Sequence, residues 1–179
     1  NLIRRIGRVL AVNMNPIIII PARMSSTRLP GKPLIDIHGE PMIIHVLRQA
    51  ERADIGPVYV AAGDQEIMEV VAQAGGKALM TDPDLPSGSD RVCQALSIID
   101  KANYHDVVVN VQGDLPTIAP DIIRSVLTPL VNTDVDIATL VAEIVDVGER
   151  NDPNAVKAVA AIPKDEQIGR ALLFSRAAV

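Results

Sequence analysis

Aromatic residues are almost missing from this chain: Tyr59, Tyr104 and Phe174 are the whole set among 179 residues, and there is no tryptophan. A core built without them rests on Ile, Val, Leu and Ala, which suits buried parallel strands and the helices that cover them. The same shortage excludes recognition by base-stacking platforms, which need several exposed rings. A single cysteine, Cys93, excludes an intrachain disulfide framework and a cysteine-rich zinc site, and it reads as a small buried hydrophobe. No run approaches the roughly 18 apolar residues that would span a membrane. Nor is there an excess of positive charge: 17 Lys and Arg against 22 Asp and Glu give −5. Nucleic acid is therefore excluded as the principal partner, whereas a nucleotide-sized anion needs only a local basic cluster.

What is present is the composition of a folded domain, 48% hydrophobic and 22% charged. The length fits one domain of the usual size, roughly 100–200 residues. Residues 1–13 interleave Arg4, Arg5 and Arg8 with Leu2, Ile3, Ile6, Val9 and Leu10. The apolar run is too short and too interrupted for a secretory signal. The segment reads as an extension in front of a start at Met14, with one domain over 14–179.

From Pro16 short apolar runs alternate with helical periods. Strands are expected at Pro16–Ala22, Pro57–Ala62, Lys77–Thr81 and Asp106–Val111. Between them, Ile43, Val46, Leu47 and Ala50 share one helical face, behind Pro41. Asp64 is placed to cap a helix carrying Ile67, Val70, Val71 and Ala74, and Ser87 or Ser89 to cap one carrying Val92, Ala95, Leu96 and Ile99. A helix from Pro120 carries Ile123, Val126, Leu127 and Leu130, and further strands are expected at 136–144, 154–162 and 171–175. This order predicts an α/β fold, a mostly parallel sheet with helices on both faces. Ligands of such sheets bind beyond the carboxyl ends of the strands, which directs attention to three loops.

The loop after the first strand reads PARMSSTRLPGKP and brings Arg23, Arg28 and Lys32 together with Ser25, Ser26, Thr27 and Gly31. Three cations, small hydroxyl residues and a glycine that permits close backbone approach form a cradle for a polyphosphate, or else a solvated basic loop. It is neither a P-loop nor a Rossmann fingerprint. The fourth strand runs into NVQGDLP, where Asp114 stands in position to hold Mg²⁺ on substrate phosphates or merely to form a turn. SGSDR, Ser87–Arg91, offers a helix N-terminus to an anion or a polar ring, or is a simple cap. His38, His45 and His105 lie in settings that read as structural.

Five motifs in order, IPARMSSTRLPGKPL (Ile20–Leu34), SGSDR (Ser87–Arg91), VNVQGDLP (Val109–Pro116), DPNAVK (Asp152–Lys157) and LFSRA (Leu173–Ala177), carry a resemblance. Together they make the chain similar to the CMP-Kdo synthetases, the 3-deoxy-manno-octulosonate cytidylyltransferases of the nucleotide-diphospho-sugar transferase superfamily. The resemblance implies a Rossmann-like three-layer α/β/α fold and Mg²⁺-dependent transfer of CMP from CTP to the sugar acid Kdo. Pyrophosphate is released, and CMP-Kdo serves lipopolysaccharide synthesis. It implies that Arg23, Arg28 and Lys32 hold the triphosphate, with Arg23, Lys32 and Asp114 catalytic. Ala22, Ser87, Gly88 and Gln112 border the nucleotide, and Asp114 is the metal ligand. Arg91, Asn154, Lys157 and Arg176 fall on the acceptor side. A cytoplasmic homodimer is implied as well.

Two positions depart from the pattern. Leu85-Pro86 stands where many relatives have His-Gln, and Leu115 where many have glutamate after the motif aspartate. Polar contacts near the base and a carboxylate behind the metal site are thereby lost, while the phosphate cluster is untouched. The family's chain also continues past the LFSRA motif and supplies a second aspartate for magnesium, so 14–179 is expected to lack that segment. CMP transfer to another sugar acid, such as a sialic acid, and nucleotide binding without turnover both remain open here.

Overall fold

Four consecutive isoleucines explain the centre of the fold. In the computed structural model, which describes residues 14–25 and 29–179, Pro16–Ala22 forms β1, with Ile17, Ile18, Ile19 and Ile20 all fully buried. A strand buried on both faces needs apolar side chains at every position rather than alternate ones. β1 pairs in parallel with β4 (Val58–Ala62) on one side and with β6 (Val107–Asn110) on the other, and β4 pairs in parallel with β5 (Ala78–Met80). Between β1 and β4 lie two short antiparallel strands, β2 (Asp36–Ile37) and β3 (Glu40–Pro41).

The sheet order β5–β4–β1–β6 reverses direction of growth at β1. The carboxyl ends of β1 and β6 therefore flank the switch point where such sheets open a crevice. Helices cover both faces. Ile17 and Ile19 pack with Val92 and Ala95 of α3 (Gly88–Ile99). On the other face Ile20 and Ile43 of α1 (Met42–Ala53) converge beside Gly113. α2 (Gln65–Gln73) adds the fully buried Ile67 and Val71. Cys93, expected in the core, is exposed, because Arg91, Val92 and Ala95 carry the buried face of α3.

The helix expected from Pro120 to Leu130 is shorter. α4 spans Pro120–Ser125 and gives way to turns before Pro129, since a residue preceding proline is pushed out of the helical region. Arg124 on α4 donates through Nε to Ala53 O at 2.7 Å and through Nη2 to Arg52 O at 2.6 Å, closing the last turn of α1. Those carbonyls have no partner within the helix. Arg124→Ala is expected to destabilise the protein by about 1–3 kcal/mol, measured as a lowered denaturation midpoint with unchanged slope.

The single domain expected over 14–179 divides into two compact units, the first ending at Thr128 and the second being Pro129–Val179. In the second, α5 (Val147–Asn151) precedes an antiparallel hairpin of β7 (Lys157–Ala161) and β8 (Arg170–Ser175), in agreement with the two late strands. The strand expected at 136–144 is not formed. Among the described residues no ladder includes it, and Ile137 is 86% exposed. An alternating pattern makes a strand only where a neighbouring edge accepts its hydrogen bonds. Residues 1–13 lie outside the described residues.

Candidate active site

The switch point holds an open cleft of about 390 Å³, walled by the carboxyl ends of β1 and β6 and the start of α3. Pro21, Ala22 and Arg23 come from β1 and the residue after it, Lys32 and Pro33 from the far side of the first loop, Ser87, Gly88 and Arg91 from α3 and its cap, and Gln112, Gly113 and Asp114 from the loop after β6. Three loops separated in sequence thus meet where the topology requires. Arg28 lies outside the described residues.

At the centre Lys32 Nζ donates to Asp114 Oδ2 at 2.6 Å, a pair whose side chains are 36% and 49% exposed. The two charges are half-solvated and opposite, so each is available for exchange with an incoming ion of the other's sign. Lys32 is set by a 3-10 turn, Lys32–Leu34, behind Gly31, whose φ of 71° lies in the left-handed region that glycine adopts without strain. Gly113 allows the β6 loop to approach β1: a Cβ there would stand 2.9 Å from Pro21 O. Gln112 Nε2 donates to Asn110 Oδ1 at 3.1 Å.

On the opposite wall Ser87, not Ser89, caps α3. Its Oγ accepts from Asp90 N at 3.1 Å and donates to Asp90 Oδ2 at 2.5 Å. Gly88 lies against Pro21, with 3.4 Å from its Cβ position to Pro21 Cγ. Arg23 Nη1 reaches Leu85 O at 3.5 Å, at the outer limit of a hydrogen bond.

Arg91 is 2% exposed. Its Nη1 donates to Thr81 Oγ1 and its Nη2 to Pro83 O at 3.3 Å, while Thr81 Oγ1 in turn donates to Ala62 O. The guanidinium lies against Gly63, whose Cβ position is 2.9 Å from Nη1. Burial, then the like charge of Arg23, pushes its pKa down, against the opposing pull of Asp64 and Asp82. Arg91 is thus a buried cation built into the wall of the cleft.

Asn154, Lys157 and Arg176 belong to the second unit. Lys157, 2% exposed, donates to Asp152 O, Ala155 O and Arg176 O at 2.6, 2.8 and 2.7 Å, so all three of its protons are committed to the backbone. Arg176 Nη1 donates to Pro153 O and Asn154 O, both at 3.2 Å. Lys157 therefore shapes the DPNAVK turn against the LFSRA segment, a structural setting beside the acceptor-side role expected for it. Arg176 keeps its exposed position.

The histidines stand apart from the cleft lining, His45 Nε2 against Ile37 O at 2.9 Å and His105 Nδ1 against Asn15 O at 3.1 Å. Among the described residues no cluster of three His, Cys, Asp or Glu forms a metal cage, and no helix is long and apolar enough to cross a membrane. One residue near the site was hidden by its own sequence position. Asp64, the expected cap of α2, makes no side-chain cap bond and instead accepts from Met24 N at 2.7 Å.

Comparison with known proteins identifies the family. Residues 17–179 match the cytidylyltransferase family model. The 3-deoxy-manno-octulosonate cytidylyltransferase of Paramagnetospirillum magneticum is 57% identical over 93% of this chain and 68% of its own length. That of Rhodospirillum centenum is 58% identical over 93% of this chain and 65% of its own. The chain thus spans about two thirds of the length of these relatives. Among solved structures, CMP:2-keto-3-deoxy-manno-octonic acid synthetase complexed with CTP superposes with a TM-score of 0.73 at 37% identity, over 92% of this chain and 65% of that one. By sequence and by fold, this chain belongs to the cytidylyltransferase family, among the 3-deoxy-manno-octulosonate cytidylyltransferases.

Proposed function

We propose that the chain takes part in transferring CMP from CTP to Kdo, forming CMP-Kdo for lipopolysaccharide synthesis in the cytoplasm, as a homodimer. The observation that carries this reading is the Lys32–Asp114 pair on the cleft at the β1/β6 switch point. A cation for phosphate oxygens and a carboxylate for a phosphate-bound cation stand there side by side. In the reaction, the anomeric hydroxyl of Kdo attacks the α-phosphorus in line and loses its proton. A new phosphorus–oxygen bond forms, the bond to the bridging oxygen breaks, and pyrophosphate leaves with that electron pair.

Arg23, Arg28 and Lys32 are assigned to the triphosphate, where fixed cations offset the charge that grows on the phosphoryl oxygens. Ala22, Ser87, Gly88 and Gln112 are assigned to the cytidine side. Magnesium prefers one or two carboxylates, with phosphates and waters completing its octahedron. A lone, half-exposed Asp114 beside a phosphate cradle suits that donor set. When bound, the ion supplies charge neutralisation on the phosphates. On the acceptor side Asn154 and Arg176 are assigned to the sugar acid, with a guanidinium matching its carboxylate. Arg91 supports the cleft wall from within, and Lys157 holds the DPNAVK turn of the second unit.

Pyrophosphate release with CTP, Mg²⁺ and a panel of sugar acids tests the reading. Kdo is expected to be preferred over sialic acids. A preference for a sialic acid would reassign the acceptor, and no release with any acid would leave a nucleotide-binding module. CTP is also expected to exceed UTP in kcat/KM by at least tenfold. Cytosine presents an amine where uracil presents a carbonyl, and a site built for one leaves polar groups unpaired with the other. Equal values would reject cytidine specificity.

A further inference from the structure

Asp64 lies outside the cleft lining, yet it holds the neck of the loop that carries the cleft's cations. Met24 is fixed at both of its backbone groups. Its N–H donates to Asp64 Oδ2 at 2.7 Å, and its carbonyl accepts from Gly31 N at 3.0 Å. The second bond pins the two sides of the loop neck together at one node, Met24 and Gly31. The residue before that node is Arg23, and the residue after it is Lys32. Asp64 itself is anchored, since Gly63 N donates to Ala22 O at 2.9 Å, extending the β1–β4 ladder by one bond. Its expected alternative, capping α2, is given up. A helix cap ordinarily stabilises a helix start, so the carboxylate's use across 40 residues points to a role in the loop.

Resting on the nucleotidyl-transfer reading above, we infer that Asp64 is a positioning residue that fixes the loop neck at Met24 and thereby sets Arg23 and Lys32 for the triphosphate. The buried Arg91 lies against Gly63, the residue before Asp64, and is itself held by Thr81 and Pro83 O. Displacing a catalytic group by about 1 Å can cost on the order of a hundredfold in rate, and both cations adjoin the node in the chain, Arg23 next to Met24 and Lys32 next to Gly31.

The test compares D64A, D64N and K32A in the full chain, with melting checked in each. D64A is expected to lower kcat by at least tenfold while weakening CTP binding less. D64N, whose amide oxygen accepts the same bond and which guards against loss of fold, recovers most of that loss. Because Asp64 acts in part through Lys32, D64A/K32A is expected to lose clearly less than the product of the two single losses. A purely structural effect would multiply in full. The Met24 amide is expected to exchange with solvent at least tenfold faster in D64A than in the unmodified chain or in D64N. D64A activity within twofold of normal, full multiplicativity in the double variant, no recovery in D64N, or unchanged Met24 exchange would each overturn the inference. A chain that transfers no cytidylyl group at all would instead defeat the proposed reaction, and Met24 exchange would still decide the anchor.

Discussion

Replacing Lys32 by alanine is expected to lower cytidylyl transfer by on the order of a hundredfold or more while leaving the fold in place. The ammonium projects onto the cleft from a rigid 3-10 turn, beside the carboxylate assigned to the metal. A preorganised positive group aimed at phosphoryl oxygens acts most strongly as charge develops in the transition state, and losing one such group commonly costs about 3–4 kcal/mol. Its contribution to stability is of another size. Both partners of the Lys32–Asp114 pair are more than a third exposed, and solvent-screened pairs contribute about 0–1 kcal/mol. The check is kcat beside thermal melting for the same preparation. Near-normal turnover in a well-folded variant would remove Lys32 from the machinery.

Asp114→Asn is expected to have an effect of similar size with an opposite electrostatic signature. The substitution conserves shape but removes the negative charge next to Lys32, so the cleft becomes more positive. Turnover is expected to fall by at least a hundredfold, and added magnesium is expected not to restore it. Metal-free CTP, by contrast, is expected to bind more tightly than to the unmodified chain, because the triphosphate no longer competes with a carboxylate for the lysine. K32A shifts the same metal-free affinity the other way. Titrations of CTP with chelator, and of rate against magnesium, separate the two. An unchanged magnesium dependence in D114N would show that the metal is held elsewhere.

Much of this protein is local enough to be legible along the chain. Ile17–Ile20, β-branched and consecutive, suit a doubly buried strand, where every position is covered. Ile43, Val46, Leu47 and Ala50 recur at the helical period and are all buried on α1. Ser87 caps α3 through a bond to a residue three positions on, so the signal lies within one turn. From alternating strands and helices the parallel sheet follows, and with it the loops that meet at the cleft.

Tertiary structure decided the matters that depend on distant partners. A carboxylate at a helix start satisfies a cap in sequence terms, but Asp64 takes the Met24 amide that β1 delivers beside it, 40 residues away. Arg91, expected on the acceptor side, is buried where the fold brings the space over Gly63 and the oxygen of Thr81 to it. Lys157 reads as a ligand-binding cation until three carbonyls from two segments close around its ammonium. Residues 136–144 carry a strand pattern, yet no described sheet edge offers them a ladder. Periodicity and capping are properties of a few neighbouring residues, written where they act. The partner of a buried charge or of a strand edge is chosen by which segments the fold brings within hydrogen-bond distance.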